Sequence, residues 1–291
     1  MGISFCYHKI GEPTNLHSDL VSFRNFNKHI QDYKVQKALS IKIKGNSKQD
    51  LWSFDDGYSN IVSAVELLVR NNIEVSIFVN MHNVINQEYF YWDCLTAIYY
   101  LEREKLNAIF PSFLNTINSL QEYIKYVAQL ESESRLSISA DLNSIILKSK
   151  MSSYFTENLK PLNVSELQYL SSLPLVSIGN HSFSHPSFGN VNVDLDKEIL
   201  LNHRLIKNVT GKESKDFAFP FGTESDRNSD AEEYLFKLGY EGAFSTVGKP
   251  NSKYDNKMFR PRFVIGNWNR WRFVYKTNRV LLAHLINRIL E

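Results

Sequence analysis

Two histidines four residues apart, His181 and His185, are the clearest candidates for metal ligands in this sequence. This spacing lets both imidazoles turn to one side of a helical turn or a tight loop. A carboxylate from a distant strand end would complete a three-ligand site and leave one coordination position open for water, as in catalytic rather than structural zinc-type sites. Asp55 and Asp56 follow a strand-like run and could supply that carboxylate. The combination predicts a metal-dependent hydrolase.

The tripeptide Asp55-Asp56-Gly57 could bring two carboxylates into one cavity. In a regular strand, neighbouring side chains face opposite sides of the sheet. At a strand end that is broken by a glycine, both can reach the same side, so that one binds the metal and the other acts as a base. A divalent ion held by one carboxylate and two neutral imidazoles keeps positive charge, which lowers the pKa of bound water and polarises a carbonyl.

Each of these signals has a plainer interpretation when it stands alone. The sequence Asp-Asp-Gly is typical of a simple turn, and two histidines at this spacing are often structural or solvent-facing. Their combination in one chain, with Pro186 fixing the turn after His185, favours the metal site.

A third segment, residues 217–222 (Phe-Ala-Phe-Pro-Phe-Gly), has the pattern of a strand that ends in proline and glycine. Pro220 removes one amide donor, and Gly222 permits close approach of the backbone. Such a strand end could present the Phe221 amide to a developing oxyanion. A turn that follows a core strand is the alternative interpretation.

The composition is that of an ordinary globular protein, with 291 residues, 43% of them hydrophobic and 22% charged. The 33 basic and 31 acidic side chains give a net charge of +2 without a long run of one sign, so we predict no nucleic-acid partner. The 13% of aromatic residues would suit stacking on sugars, but aromatic core packing explains them more simply. We expect the only cysteines, Cys6 and Cys94, to be buried reduced thiols, although a disulfide is not excluded by the sequence.

The beginning of the chain has strand character rather than the pattern of a signal peptide. No apolar run approaches the roughly 18 residues that span a membrane. As the chain stands, these features favour a cytoplasmic location, whereas a removed signal peptide would make the protein extracellular or bound to the cell surface. The sequence does not determine the oligomeric state.

Strand-like runs alternate with helical ones along the chain, which predicts a parallel β/α architecture. The predicted strands are Ile3–Tyr7, Asp50–Phe54, Val75–Val79, Leu175–Ile178, Asp216–Phe219 and Gly242–Ser245, and the predicted helices include Phe23–Tyr33, Asn60–Asn72 and Arg279–Leu290.

The segment from about residue 88 to residue 173 is polar and has helical periodicity, with Trp92, Leu95 and Ile98 on one apolar face. No linker rich in glycine, proline or serine borders it. We therefore predict one domain over residues 1–291, with a helical insertion at about 88–173 that shapes the choice of substrate.

The three motifs, in this order, resemble those of the polysaccharide deacetylase family (NodB-homology domain, carbohydrate esterase family 4). The first family motif, Thr-Phe-Asp-Asp-Gly, is matched by residues 53–57, and the second, His-Ser/Thr-x-x-His-Pro, by residues 181–186. The third is matched loosely by residues 219–222, and its variant here is most similar to the branch tied to exopolysaccharide biosynthesis.

The resemblance implies a distorted (β/α) barrel of about seven parallel strands. It also implies a hydrolase that removes N-acetyl groups from a carbohydrate. The bond that such an enzyme cleaves is a C–N bond of a linear amide other than a peptide bond. Asp55 would be the general base, and the Phe221 amide would stabilise the oxyanion. Asp56, His181 and His185 would bind one divalent ion. Zinc is the default metal, and cobalt, nickel or manganese would also suit these ligands.

Family members carry an arginine in the third motif that pairs with the catalytic aspartate, but Ala218 occupies that position here. Arg262, in the run Arg-Pro-Arg-Phe, could supply the missing guanidinium from another strand and hold Asp55 ionised and oriented. The alternative is that Arg262 forms only a structural salt bridge.

The family's general acid is a histidine in a Leu-x-His motif, which His284 matches, although its surroundings have helical spacing. His8, at the end of the first predicted strand, is a second candidate for this role. Trp268 and Trp271 could form a platform for the sugar or could be ordinary packing residues.

The partner is thus predicted to be a carbohydrate, an N-acetylhexosamine-containing polysaccharide or oligosaccharide. A nucleotide-linked or lipid-linked acyl-amino sugar from surface-glycan biosynthesis is the alternative substrate. An inactive homologue that binds a glycan is a third hypothesis, but such a protein would be expected to lack Asp55 or a metal ligand, and all four residues are present.

Overall fold

The computed structural model describes residues 3–44, 50–110, 117, 119–190, 192–249, 251 and 255–277. Within them, seven short strands form one sheet in which all neighbouring strands are parallel. The strands are β1 (Ser4–Tyr7), β2 (Leu51–Phe54), β3 (Val75–Val79), β4 (Val176–Asn180), β5 (Asp216–Ala218), β6 (Gly242–Phe244) and β7 (Phe263–Val264). Their order across the sheet is β6-β5-β4-β3-β2-β1-β7.

The two ends of this sheet are joined by the segment that contains β7. Arg260 pairs with β6, since its amide donates to the Ala243 carbonyl at 2.8 Å. A few residues later, β7 pairs with β1, and the Ile265 amide donates to the Cys6 carbonyl at 2.8 Å. Pro261, which has no amide hydrogen, lies where the segment changes partner. The sheet therefore curls into the distorted (β/α) barrel that the sequence predicts, and this prediction of the fold class is confirmed.

Helices cover the outside of the barrel and fill the long connection between β3 and β4. The helices are α1 (Phe23–Lys44), α2 (Val62–Arg70), α3 (Met81–Asn86), α4 (Tyr91–Leu101), α5 (Leu106–Ile109), α6 (Leu120–Gln129), α7 (Ser132–Lys148), α8 (Ser152–Asn158), α9 (Val164–Ser172), α10 (Asn202–Thr210) and α11 (Ser229–Lys237). Residues 270–277 are also helical. A π-helical turn, Asp196–Leu201, leads directly into α10.

The helical segment between β3 and β4 comprises α3 to α9 and agrees in position with the predicted insertion. Two of its helices begin with a capping box, in which Ser119 and Asn163 each accept a hydrogen bond from the amide three residues later. The description of the whole chain as one domain with an insertion stays a prediction.

The aromatic residues serve mainly the core. Trp52, on β2, is fully buried and lies against Phe5, Tyr7, Phe26 and Tyr33, with ring centroids 5.0 to 6.1 Å apart. Such ring pairs favour offset and edge-to-face contacts at these distances. Many of the aromatic residues are thus accounted for by packing in the core.

Both cysteines are buried and free, as expected from the sequence. No helix of the described residues is both long enough and apolar enough to cross a membrane.

Candidate metal centre

The candidate residues meet at the carboxyl ends of neighbouring parallel strands, which is where the sites of (β/α) barrels lie. Asp55 and Asp56 follow β2, and His181 follows β4. His8 follows β1, which pairs with β2 up to Tyr7 and Phe54. Residues that are far apart in the sequence therefore reach one edge of the barrel.

Asp56, His181 and His185 form a compact buried group. The Nε2 atoms of His181 and His185 lie 3.3 and 3.5 Å from Asp56 Oδ1. The ligand atoms of the three residues are all within 4.8 Å of one another. Asp56 Oδ1 is buried and has no hydrogen-bond partner, a costly state for a carboxylate oxygen that a bound cation would relieve. The donor set and this orphaned oxygen therefore fit a divalent metal.

The ring of His181 is oriented by a hydrogen bond to the backbone. Its Nδ1 lies 2.7 Å from the Ala218 carbonyl oxygen, so Nδ1 donates and Nε2 points to Asp56. This arrangement is typical of metal-binding histidines, because it fixes the tautomer and leaves the other nitrogen as the ligand. Ala218 thus contributes to the site through its carbonyl, although the family's arginine is missing at this position.

The ring of His185 lies between two aromatic side chains. Its centroid is 4.2 Å from that of Trp92, on α4, and 4.9 Å from that of Phe221. Burial lowers the pKa of His185 to about 3, so the imidazole is neutral near pH 7 and available as a ligand. In His181, burial acts in the same direction, but the negative charges of Asp55 and Asp56 and the contact with Asp56 prevail and raise the pKa.

Strained backbone is concentrated in all three motifs. Asp56, Ser182, His185 and Phe221 have φ angles of 72°, 65°, 56° and 59°. Residues with a Cβ avoid this left-handed region, and such conformations persist where the surroundings hold them, often at functional sites. At Gly57, with φ of 86°, a Cβ would lie 3.0 Å from the side chain of Val79, so glycine suits the end of the first motif.

Asp55 is bound by Arg262, which directly precedes β7. The guanidinium donates to both carboxylate oxygens at 2.7 Å, to Ser53 Oγ at 3.0 Å and to the Ser245 carbonyl at 3.2 Å. Burial alone would raise the pKa of Asp55, but the Arg262 charge outweighs it and, with smaller contributions from nearby groups, holds the pKa well below its usual range. Asp55 is therefore ionised and fixed in orientation.

Two further side chains approach Asp55, one from β1 and one from the residue that follows it. The Cys6 thiol lies 3.3 Å from Asp55 Oδ2 and donates to it, and burial raises the pKa of this thiol, so it keeps its proton. His8 is half-buried, and its ring, Cys6 Sγ and an Asp55 oxygen lie within 4.8 Å of one another. His8 therefore belongs to the same cluster of side chains as the proposed base. His284, the other candidate acid, lies outside the described residues.

The remaining two candidates, Phe221 and Trp268, differ in their distance from the metal group: Phe221 contacts it, whereas Trp268 does not. The Phe221 amide donates to no protein acceptor in the described part of the chain, and the Phe221 ring contacts His185. Trp268 packs against the core instead: its carbonyl oxygen lies 2.7 Å from His29 Nε2, and the guanidinium of Arg272 lies 5.3 Å from its ring. These contacts connect Trp268 with α1 and the helical residues 270–277 rather than with the metal group.

The sequence predicted that the helical segment shapes the choice of substrate, but it did not indicate that Trp92 contacts a proposed metal ligand. Trp92 contacts His185 by its ring, and its indole nitrogen donates to the Tyr58 hydroxyl at 2.9 Å. The spacing of Trp92 with Leu95 and Ile98 predicted an apolar helix face, which gives no information about what the face touches. The one available signal was a run of aromatic residues at the start of α4, within the long connection between two parallel strands.

Comparisons with known proteins agree with the motifs. Residues 147–243, which include the histidines and the third motif, match the family model described as polysaccharide deacetylase. The predicted resemblance to this family is thereby confirmed, and with it the class of hydrolytic carbohydrate deacetylases. No curated protein sequence matches the chain significantly.

Several solved structures have a similar fold. The Streptococcus pyogenes deacetylase PplD, solved in complex with acetate, is 12% identical, with a TM-score of 0.58 over 94% of this chain and 97% of that chain. BC0361, a polysaccharide deacetylase from Bacillus cereus, is 15% identical, with a TM-score of 0.58 over 94% of this chain and 68% of that chain. IcaB from Ammonifex degensii is 15% identical, with a TM-score of 0.57 over 90% and 91%. At these identities, the likeness shows a shared fold.

Proposed function

We propose that this protein is a metal-dependent deacetylase that hydrolyses the N-acetyl group of an N-acetylhexosamine unit in a polysaccharide or oligosaccharide. One observation carries the proposal. An orphaned, buried Asp56 oxygen faces two histidines, directly beside an aspartate whose charge is fixed by Arg262. This pairs a ligand set with a base, as metal-assisted hydrolysis requires.

Asp56, His181 and His185 would hold one divalent ion, with zinc as the default. When bound, such an ion supplies Lewis-acid chemistry and acidifies water. The charges support this assignment, since one carboxylate and two imidazoles leave a divalent ion with positive charge. The family's use of a divalent metal is the second support.

Asp55 would take the proton of the attacking water. Its bidentate pairing with Arg262 keeps the carboxylate ionised and prevents it from rotating away, and the Cys6 thiol adds a third hydrogen bond. A carboxylate with a depressed pKa is a weak base in isolation, so its effect depends on the acidified water. The Phe221 amide, strained into the left-handed region and free of protein acceptors among the described residues, would donate to the oxyanion of the tetrahedral intermediate.

The amine that leaves must receive a proton. His8 suits this step by position, since its ring shares the pocket of Asp55 and Cys6. His284 stays the alternative implied by the family motif. Trp268 is poorly placed to contact the sugar, because its own contacts are with α1 and with the residues that follow β7.

Acetate release from defined substrates tests the proposal. The panel contains N-acetylated glucosamine oligosaccharides, nucleotide-linked N-acetylhexosamines and a lipid-linked analogue. Each is assayed with the protein as purified, after chelation, and after addition of zinc or cobalt. Release that is lost on chelation and restored by metal is expected, and the preferred substrate identifies the carrier of the sugar. Metal-independent release would overturn the mechanism, and stoichiometric metal without release from any substrate would favour the glycan-binding hypothesis.

A further inference from the structure

Residues 181–186, here called the metal loop, are held in an unfavourable conformation. Ser182 and His185 both have positive φ angles. The Ser182 amide donates to Asn180 Oδ1 at 2.8 Å, and the His185 amide donates to Ser182 Oγ at 3.1 Å. These local bonds support the turn, but a strained loop persists only when its surroundings fix it from several sides.

One side of the metal loop is fixed by a buried ion pair that reaches it from the helical segment. Arg135, on α7, is 2% exposed and binds Glu198 of the π-helical turn, with 2.8 Å between Nη2 and Oε1. Both charged groups bind Ser184. Arg135 donates to the Ser184 hydroxyl at 2.9 Å and to its carbonyl at 3.1 Å, and the Ser184 amide and hydroxyl donate to Glu198 at 2.9 and 2.6 Å. All polar groups of Ser184 are thus engaged by this pair.

The same guanidinium fixes the connection between α6 and α7. It donates to the carbonyl of Leu130 and, at 3.4 Å, to that of Ala128. The Ala128 carbonyl also accepts the amide of Ser187, just beyond the metal loop, at 2.9 Å. Arg135 therefore joins the metal loop to the backbone between α6 and α7, and not only to the side chain of Glu198.

The start of α4 holds His185 itself. The Tyr91 hydroxyl donates to the His185 carbonyl at 3.2 Å, and the Trp92 ring lies against the imidazole. Asp93 accepts from the Tyr58 hydroxyl at 2.6 Å and pairs with Lys9 at 2.6 Å. Three consecutive residues of α4 thus contact the metal loop, the residue after the first motif and the segment that follows β1.

We propose that the helical segment between β3 and β4 is the positioning element of the metal loop, with Arg135 as its principal positioning residue. Arg135 acts through Glu198 and Ser184, while Tyr91 and Trp92 fix His185. This inference rests on the proposed metal centre and adds to it that metal affinity depends on residues outside the barrel strands. Outer contacts of this kind typically change metal affinity by about 10- to 100-fold when they are removed.

The test compares Arg135→Met with Leu142→Ala on the same helix. Leu142 is fully buried in the core and contributes no polar contact to the loop. We measure the zinc Kd by competition with a chromophoric chelator and the Tm of the metal-free proteins by circular dichroism. Arg135→Met is expected to weaken zinc binding by about 10- to 100-fold. Leu142→Ala is expected to lower the Tm by about 5–15 °C and to leave the Kd within about twofold of the parent value.

Two results would overturn the proposal: a folded Arg135→Met protein with the parent Kd, or equal weakening by Leu142→Ala. If Arg135→Met does not fold, the double variant Arg135→Met/Glu198→Gln removes both buried charges, and Tyr91→Phe removes only one bond to His185. Parent affinity in both of these would also refute the positioning role. If the unaltered chain binds no zinc or cobalt, the proposed metal centre fails as well, which separates the two conclusions.

Discussion

Asp55 and Asp56 are adjacent in the sequence, yet their surroundings are opposite. Both oxygens of Asp55 are bound by Arg262, and Cys6 adds a further donor. One oxygen of Asp56 is buried without a hydrogen-bond partner and faces two imidazoles. The positive φ of Asp56 turns the chain between them and allows this division. A carboxylate with all its hydrogen bonds made, beside one that lacks them, is consistent with the two proposed tasks, a fixed base and a metal ligand.

The largest effect is expected from replacing Asp55, the carboxylate that Arg262 holds in place. Asp55→Asn is expected to lower kcat/KM by about 10³-fold or more, since a general base contributes about 10²- to 10⁴-fold. Its metal content should stay near that of the parent, because Asp55 is bound to Arg262 rather than to the ligand group. Elemental analysis and acetate release measure the two effects. Substantial remaining activity would contradict the role of Asp55 as the base.

The matched changes at the proposed metal ligands are Asp56→Asn, His181→Ala and His185→Ala. Each removes a proposed ligand, so both bound metal and activity should be lost together. Metal content after dialysis and acetate release are compared with those of Asp55→Asn. Full retention of metal in any of the three variants would refute the ligand assignment for that residue.

Arg262→Met tests whether the charge of Arg262 keeps Asp55 ionised. It leaves the Asp55 charge buried and unpaired, which is expected to cost about 3–5 kcal/mol of stability. The pKa of Asp55 should rise, since burial is no longer opposed by the guanidinium, and the acidic limb of kcat/KM should move to higher pH.

The depressed pKa of Asp55 stabilises the parent above the pKa of the unfolded carboxyl, and this contribution is lost as the pH falls through the folded pKa. The stability difference between parent and Arg262→Met should therefore narrow in acid, as measured by thermal unfolding at several pH values. Arg103→Met, which removes an exposed arginine that contacts Tyr99 rather than Asp55, is the control. An unchanged pH profile in Arg262→Met would show that the ion pair does not set the charge of Asp55.

His8→Gln tests the proton donor. We expect kcat for an acetamido sugar to fall by about 10²-fold, with a much smaller fall for 4-nitrophenyl acetate, whose leaving group needs no proton. His203→Gln, which changes a histidine bound to Glu213 and Tyr240, is the control. Equal losses on both substrates would count against His8 as the acid and in favour of a packing role.

The smallest effect is expected from Cys6→Ala. A thiol is a weak donor, and loss of one hydrogen bond to Asp55 should cost about 1 kcal/mol, or about fivefold in kcat/KM. Cys94→Ala, a change at a second buried free cysteine, should leave kcat/KM unchanged. The same rate in both variants would show that Cys6 only fills space.

Much of the fold could be predicted, since strand and helix periods are local properties of the sequence. The predicted strand Val75–Val79 agrees with β3 at both ends, and the others differ by one or two residues. The helix predicted to end at Tyr33 continues to Lys44. The prediction stopped early because Lys34 and Val35 are exposed, so the sequence has no apolar period there. β7 has only two residues and was not predicted, because so short a strand has no measurable alternation.

The sequence by itself determined which residue types could bind a metal and which strand ends carry them, since the spacings of Asp55-Asp56-Gly57 and of the two histidines are local. Only the tertiary structure decided that Arg262, 207 residues away, is the partner of Asp55, and that Trp92 borders His185. Such contacts depend on the strand order and on how the chain closes between β6 and β1. No local periodicity records that closure, because it is stabilised by packing between segments that are far apart in the sequence.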